Sequence, residues 1–332
     1  IFNDKPPHFN ADYTSGSEHI TIPLISHEIG QYAVYPDLSE ISKYTGVLEP
    51  LNFIAVKQDL GKKGLMDLAK DFTYNSGKLA ALLYKEEIER ALKTPSFDGF
   101  QLLQLQDYPG QGTALVGLLN AFWESKGVIS AEEFSQFNSE VVPLIRFEKA
   151  VYEIGETFEA SIEIANFYKE LSNQIINWTI TDESGNEVKK GNLNNINLSI
   201  GNNTDLGLIK YDITTKEAKK LTINVSLSGT KYKNSWNIWV YPKDVDLTKK
   251  DIIVTASFAV AEQALQEGKK VLLNPDFNAL KGIAGRFVPV FWSPVHFPNQ
   301  PATMGVLLDE KHPVFNQFPT DSHTNWQWWD LC

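Results

Sequence analysis

The chain has 332 residues and a formal net charge of −11, with 41 acidic against 30 basic side chains. This excess of negative charge disfavours nucleic acid and anionic membrane surfaces as partners. At about 150 residues per domain the length predicts two or three domains, and no apolar run reaches the ~18 residues typical of a membrane span.

The first informative segment is an apolar run that ends in polar side chains. Ile20 to Ile25 is dense in β-branched and apolar residues, which predicts a strand buried on both faces. Ser26, His27 and Glu28 follow it directly, and in a (β/α)8 barrel catalytic groups project from this end of the strands. On the local pattern alone, Glu28 is either an ordinary loop acid or a functional carboxylate.

A second strand with a similar ending follows a helical segment. Apolar residues recur at helical spacing between Asp37 and Arg90, and one helix is predicted over Lys78 to Leu92. The segment Gly99 to Gly112 then predicts a strand with polar residues and glycines at its C-terminal end. A strand, a helical crossover and a second strand form a parallel βαβ unit, which brings both polar ends to one edge of the sheet.

Together, the segments Pro23 to Glu28 and Gly99 to Asp107 resemble the last two barrel strands of family 2 glycoside hydrolases, the β-galactosidase and β-glucuronidase group. The resemblance covers residues 20–125 and implies a partial (β/α)8 barrel over residues 1–140. It implies that Glu28 is the catalytic nucleophile. The rim of the sugar site is implied to contain Gln106, Asp107 and Tyr108.

The implied reaction is hydrolysis of a β-galactoside-like O-glycosidic bond with retention of configuration. Glu28 would attack the anomeric carbon, while a carboxylic acid about 5 to 5.5 Å away protonates the leaving oxygen. An ionised nucleophile needs donors nearby, and His27 and Gln31 are close in sequence, although strand alternation directs His27 away from Glu28. Tyr32 and Tyr35 supply either a hydroxyl, a stacking face or packing beneath the loop.

The position of the general acid/base departs from the family pattern. Family members place this glutamate after an asparagine, upstream of the nucleophile, and residues 1–27 contain no Asn-Glu pair. We therefore interpret the chain as an excised part of a larger hydrolase, inactive by itself. The resemblance implies a periplasmic or secreted parent enzyme.

The pattern changes to short alternating strands near Glu140. Residues 141–242 predict an immunoglobulin-like antiparallel β-sandwich, and family 2 hydrolases carry such sandwiches beside the barrel. Val151 to Ile164 predicts two strands about a Gly turn, and Asp182 to Asn186 predicts a hairpin turn. Trp178 is either a sugar platform or a core residue, and its alternating strand favours the core.

Residues 243–332 predict a Rossmann-like or amidotransferase-like α/β segment with an aromatic tail. Its elements are a strand at Asp251 to Thr255, a helix at Phe258 to Gln266 that ends at Gly268, and a strand at Lys270 to Pro275. We expect a structural role without a cofactor, because no Gly-rich fingerprint follows the first strand and no nucleophilic cysteine is present. Zinc-type His/Cys spacing is also absent, so no metal is expected.

Aromatic residues concentrate in the tail, notably Trp292 and the group Trp326 to Trp329. They either stack on the apolar face of a sugar or pack at an interface, and packing is favoured. Two functions therefore stay open: a glycosidase acting on an oligosaccharide or glycoside, and a non-catalytic carbohydrate-binding or scaffolding module. A serine esterase is disfavoured because no Gly-x-Ser-x-Gly motif occurs.

Overall fold

The computed structural model describes residues 6–245, 251–282, 285–300 and 302–331. The chain divides into two compact units. The first combines Ile1–Tyr241 with Arg286–Cys332, and the second is Pro242–Gly285. The fold is therefore multidomain and combines α/β with all-β parts, while the predicted domain boundaries at residues 140 and 242 stay predictions.

The first unit begins with an α/β layer. Strands β1 (Ile25–Ile29) and β2 (Gly99–Leu102) pair in parallel. Helices α2 (Leu51–Lys63) and α3 (Ala69–Leu92) lie between them in the sequence, which confirms the predicted βαβ unit. The short helices of this part are α1 (Thr14–Ser17), α4 (Ala131–Ser135) and two 3₁₀ helices, Leu38–Lys43 and Met66–Leu68.

Two expectations about this layer are corrected by the structure. No closed barrel is present within the described ranges, since β1 and β2 form a sheet of two strands. The expected strand over Ile20 to Ile25, buried on both faces, is wrong: β1 begins at Ile25, and the side chains of Ile22 and Ile25 are 72% and 56% exposed. A two-stranded sheet with α3 against it leaves much of its surface uncovered.

The next strands form two sheets that contribute to one hydrophobic core. One sheet has the order β4-β10-β9-β6-β7 and the other β3-β5-β8. The strands are β3 (Val141–Arg146), β4 (Val151–Glu153), β5 (Thr157–Asn166), β6 (Leu171–Thr181), β7 (Glu187–Leu198), β8 (Gly201–Asp212), β9 (Lys219–Leu227) and β10 (Lys233–Tyr241). All neighbours pair antiparallel except β4 and β10, which are parallel. The immunoglobulin type of this β region stays a prediction.

Local turn chemistry in the β region follows the sequence. The carboxylate of Asp182 accepts hydrogen bonds from the backbone N–H groups of Ser184 and Asn186, which closes the hairpin between β6 and β7. Gly155, at φ +96°, supplies the turn between β4 and β5. Trp178 is buried, which confirms its prediction as a core residue.

The second unit contains one parallel βαβ segment, as predicted. Strands β11 (Ile252–Thr255) and β12 (Lys270–Leu273) pair in register, and α5 (Phe258–Gln266) connects them. The Ser257 hydroxyl accepts a hydrogen bond from Val260 N–H at the start of α5, and Gly268 follows the end of the helix at φ +74°.

The segment from Arg286 onwards belongs to the first unit. Within its described residues, the helical structure is limited to the 3₁₀ helices Pro313–Phe315 and Trp326–Trp328. Trp292 and Trp326 are only 5% and 8% exposed, which supports packing for these two rings. Among the described residues, no helix combines the length and apolarity needed to cross a bilayer.

Candidate functional site

Glu28 lies in β1, next to its C-terminal residue, where the strand departs from regular geometry. Its φ is +61°, and the pairing of β1 with β2 shifts register between Ser26 and Ile29. A left-handed residue interrupts the strict alternation of side chains. His27 Nδ1 therefore lies 3.8 Å from Glu28 Oε1, and the expected separation of the two side chains does not occur. Half of the Glu28 side chain is exposed.

Gln31 is the fixed amide next to this carboxylate. Its Nε2 group donates a hydrogen bond to the Glu28 carbonyl oxygen at 2.9 Å and lies 3.5 Å from Glu28 Oε2. Gln31 is buried and, like Glu28, has a left-handed backbone, with φ +74°. The loop thus holds an amide donor beside an accessible carboxylate, as expected for Gln31.

Helix α3 anchors this loop through two side chains that are three residues apart and so share one face of the helix. Glu87 Oε2 accepts hydrogen bonds from Gly30 N–H at 2.8 Å and from the Tyr32 hydroxyl at 2.6 Å. The Tyr84 hydroxyl donates to the carbonyl oxygens of Gln104 and Val116, which follow β2. One helical face therefore fixes the backbone after both strands.

Burial raises the pKa of Glu87, although the Tyr32 hydroxyl and the Gly30 N–H both favour its charged form. The Tyr32 pKa is raised as well, by burial and then by the charge of Glu87. The Tyr32 side chain is 6% exposed. The Tyr32 hydroxyl already donates a hydrogen bond to Glu87, and its ring is buried beneath the loop.

An aromatic rim lies beside the loop. The backbone N–H of Trp292 donates to the Gln31 carbonyl oxygen at 2.8 Å, and its indole N–H donates to Gln111 Oε1 at 3.1 Å. The Tyr108 ring centroid is 5.9 Å from that of Trp292, and the Tyr108 side chain is 41% exposed. The rim therefore joins the segment after β2 to the tail, next to the loop that carries Glu28.

Asp107 and Gln106 both bind other parts of the protein in this structure. Asp107 is buried, and its Oδ1 accepts hydrogen bonds from Lys126 Nζ at 2.6 Å and from Gly117 N–H at 2.9 Å. Burial raises the Asp107 pKa and the Lys126 charge opposes that rise. Gln106 forms a parallel β-bridge with Leu119. Sugar contacts by these residues, and by His27, Tyr32, Tyr108 and Trp292, stay predictions.

The sequence did not single out Tyr84, Glu87 or Gln111. Tyr84 and Glu87 lie within an ordinary helical pattern, and their roles depend on partners that are 20 or more positions away in the sequence. The one available signal is their spacing of three, which places them on a common face. Within the described ranges, no group of three or more His, Cys, Asp or Glu residues could hold a metal ion.

Two family models match parts of the chain. A domain of unknown function (DUF8488) matches residues 156–242, within the β region, and a second one (DUF8487) matches residues 252–332. Each match covers less than half of the chain, and neither description states an activity. No curated protein matches the chain.

Solved structures show only distant similarity. A cycloisomaltooligosaccharide glucanotransferase from Paenibacillus sp. matches with 10% identity and a TM-score of 0.26, over 34% of this chain and 15% of that one. A β-glucuronidase from Parabacteroides merdae matches with 13% identity and a TM-score of 0.23, over 30% and 14%. The alkylpurine DNA glycosylase AlkC from Pseudomonas fluorescens, bound to DNA, gives 10% identity and a TM-score of 0.26, over 61% and 45%.

These similarities include glycoside hydrolases but carry no argument about activity, because all three TM-scores are low. The chain also spans a small part of the two carbohydrate-active proteins, 15% and 14% of their lengths. Any functional conclusion therefore depends on the residues of the site.

Proposed function

We propose that this chain contributes the nucleophile to a retaining glycoside hydrolase that cleaves a β-galactoside-like bond. The observation that supports this proposal best is the setting of Glu28. Its half-exposed carboxylate lies at the ends of two parallel strands, beside the Gln31 amide and the rim of Tyr108 and Trp292. Sugar sites combine carboxylates and amides, which bind hydroxyl groups, with aromatic faces, which contact C–H groups.

In this proposal β1 and β2 are the last two strands of a (β/α)8 barrel, and the loops after them form part of the sugar pocket. Glu28 forms the glycosyl-enzyme intermediate, which water then hydrolyses. Gln31 orients the carboxylate, while Glu87 and Tyr84 act as positioning residues through the backbone. The general acid/base is a second carboxyl group about 5 to 5.5 Å from Glu28, on an earlier strand according to the family resemblance.

The nucleophile assignment is tested in the protein that the complete gene encodes, with an aryl β-galactoside as substrate. Glu28→Ala should abolish turnover and leave the melting temperature nearly unchanged, because its side chain is half exposed. Azide should then restore part of the activity and give a glycosyl azide of inverted configuration, since the small anion occupies the space of the missing carboxylate. Glu18→Ala, another exposed glutamate, is the matched control.

A Glu28→Ala enzyme with the wild-type rate would remove Glu28 from the mechanism. The 332-residue chain alone is expected to show no significant hydrolysis, because in this proposal the general acid/base lies outside it. General acid catalysis contributes about 10²- to 10⁴-fold to the rate. Turnover by this chain that is lost in Glu28→Gln would show that it already holds its acid/base.

The alternative, a non-catalytic carbohydrate-binding or scaffolding module, predicts an exposed aromatic platform. Burial of Trp292 and Trp326 weakens it, whereas the exposed ring of Tyr108 is consistent with it. Turnover separates the two functions, because Tyr108→Ala should weaken oligosaccharide binding under either one. Oligosaccharide binding without any turnover in the wild-type protein that the complete gene encodes would favour the module.

A further inference from the structure

Gln111 lies in a tight turn of the rim and has a backbone conformation that glutamine seldom adopts. Its φ is +46° and that of Gly112 is +74°, and Thr113 N–H donates to the Gly110 carbonyl oxygen at 3.0 Å. Two successive positive φ angles are typical of a type I′ turn, where Gly, Asn and Asp predominate. Residues of other types in such strained conformations concentrate at binding and active sites, which makes the Gln111 side chain a candidate for a functional role.

The backbone of this turn is fixed on both sides. Tyr108 and Ala114 exchange two backbone hydrogen bonds of 2.9 Å, which close the loop that contains the turn. The Ser293 hydroxyl donates to the Gly112 carbonyl oxygen at 3.0 Å. The loop is therefore ordered before any ligand arrives, so that binding to Gln111 would not have to supply the entropy cost of ordering it.

One half of the Gln111 amide is bound and the other half is free. Its Oε1 accepts the indole N–H of Trp292 at 3.1 Å, and Trp292 is only 5% exposed. An indole nitrogen can only donate, so the oxygen of the amide must face Trp292 and its NH₂ group must be directed elsewhere. Among the described residues, this Nε2 group has no hydrogen-bond partner, and Gln111 is exposed. An oriented donor is therefore available to a ligand.

An exposed aromatic ring lies in the same loop as the free amide. Tyr108 is 41% exposed, and a Cβ atom on Gly110 would lie 2.7 Å from Tyr108 Cζ. The ring therefore lies against Gly110, the residue that precedes Gln111 in the sequence. Sugars carry hydroxyl groups at their edges and C–H groups on their faces, so donors next to aromatic rings suit them. The loop contains both groups.

Hydrogen bonds connect Gln111 to the loop that carries Glu28. Trp292 binds the Gln111 side chain through its indole and the Gln31 carbonyl oxygen through its backbone N–H. Gln31 Nε2 donates in turn to the Glu28 carbonyl oxygen. The free amide and the proposed nucleophile therefore belong to one hydrogen-bonded assembly.

We propose that Gln111 is a substrate-binding residue of the proposed hydrolase. Its Nε2 group donates a hydrogen bond to a hydroxyl oxygen of the saccharide, and the C–H face of the same sugar ring contacts Tyr108. This inference rests on the proposed function for the class of ligand, but it requires no catalytic role of Glu28.

Disaccharide binding by the protein that the complete gene encodes tests this role. Calorimetry measures the Kd of lactose, cellobiose and mannobiose in a Glu28→Gln background, which removes the proposed nucleophile. Gln111→Leu should raise the Kd of a disaccharide that binds by about tenfold. Gln111→Glu keeps an oxygen for the Trp292 indole but cannot donate, so it should raise the Kd as well. Gln58→Glu, at an exposed position of α2, is the matched control and should leave the Kd unchanged.

Monodeoxy analogues of the disaccharide that binds distinguish a direct contact from an indirect effect. With Gln111 present, one analogue should bind about tenfold more weakly, because the amide loses its acceptor. In Gln111→Leu this analogue should bind as tightly as the intact disaccharide, since the contact is already absent. Circular dichroism verifies folding, and Gln111→Glu replaces Gln111→Leu in this comparison if the leucine variant does not fold.

Three results would overturn the proposal. The first is an unchanged Kd in Gln111→Glu, which would leave Gln111 only its structural bond with Trp292. The second is the absence of saturable binding for all three disaccharides. The third is that the effects of the Gln111 variant and of every deoxy analogue are additive.

Turnover of an aryl β-galactoside separates these failures from failure of the proposed function. Turnover that depends on Glu28, with an unchanged Kd in Gln111→Glu, would retain the nucleophile and remove Gln111 from the site. Weaker disaccharide binding by the Gln111 variants, without turnover that depends on Glu28, would retain Gln111 as a sugar-binding residue and remove the nucleophile.

Discussion

Gly30 provides the most direct test of the anchor that α3 places on the Glu28 loop. Its φ is +104°, and a Cβ atom at this position would lie 2.3 Å from Tyr84 Cε1. The Tyr84 ring is held by two hydrogen bonds to the segment after β2, so it has little room to move. Gly30→Ala therefore combines backbone strain with a steric clash.

The matched control is Gly201→Ala. Gly201 has the same φ, +104°, but a Cβ atom there would have no neighbour within 4 Å. Strain at such a backbone costs about 1 to 3 kcal/mol, and the reduced entropy of the unfolded chain returns about 0.4 to 1 kcal/mol. Overpacking adds about 1 to 3 kcal/mol at Gly30 only. We therefore expect Gly30→Ala to destabilise more than Gly201→Ala by about 1 to 3 kcal/mol.

Urea unfolding followed by tryptophan fluorescence measures this difference. All 8 tryptophans belong to the first unit, so their signal does not report the unfolding of Pro242–Gly285. Gly30→Ala should also lose part of its clash cost in a Tyr84→Leu background, while Gly201→Ala should not. Equal destabilisation by the two alanines, within about 0.5 kcal/mol, would refute the packing of Gly30 against Tyr84.

Three further predictions concern buried groups of the first unit. Burial, followed by the charge of Asp107, raises the pKa of Glu40 to about 7. The folded state therefore binds the proton more tightly than the unfolded state, and the free energy of unfolding should fall by up to about 3 kcal/mol between pH 4.5 and pH 8. Urea unfolding across this range should show a smaller fall for Glu40→Gln but not for the exposed Glu49→Gln. Lys126→Met leaves the buried Asp107 without its ion-pair partner and should lower the free energy of unfolding by about 3 to 5 kcal/mol. Much of this stability should be recovered in Lys126→Met/Asp107→Leu. Full stability of the single variant would contradict the ion pair. Trp326→Ala should destabilise the protein by about 3 to 5 kcal/mol. Trp123→Ala, at a ring that is 64% exposed, should change stability by less than about 0.5 kcal/mol. Similar losses of stability for the two variants in thermal melts would argue against a packing role for the tail.

Sequence patterns that act over a few residues were sufficient for several parts of the fold. Apolar spacing predicted both βαβ segments, because helix and strand periods depend on neighbouring positions. The hairpin at Asp182 follows from a side chain that binds its own backbone two and four residues ahead. The bounds of the first strand were not predicted: Glu28 was expected to follow a strand that ends at Ile25, whereas it lies within β1.

The tertiary structure decided how these pieces meet. Asn234 Nδ2 donates to Glu89 Oε1 across 145 residues of sequence, and Trp292 binds Gln111 across 181. Such pairs depend on how α3, the β region and the tail pack together, and no local spacing encodes that packing. For the same reason, the exposure of Ile22 and Ile25 could not be predicted: an apolar strand indicates that burial is favourable, but only the surrounding elements determine which faces are covered.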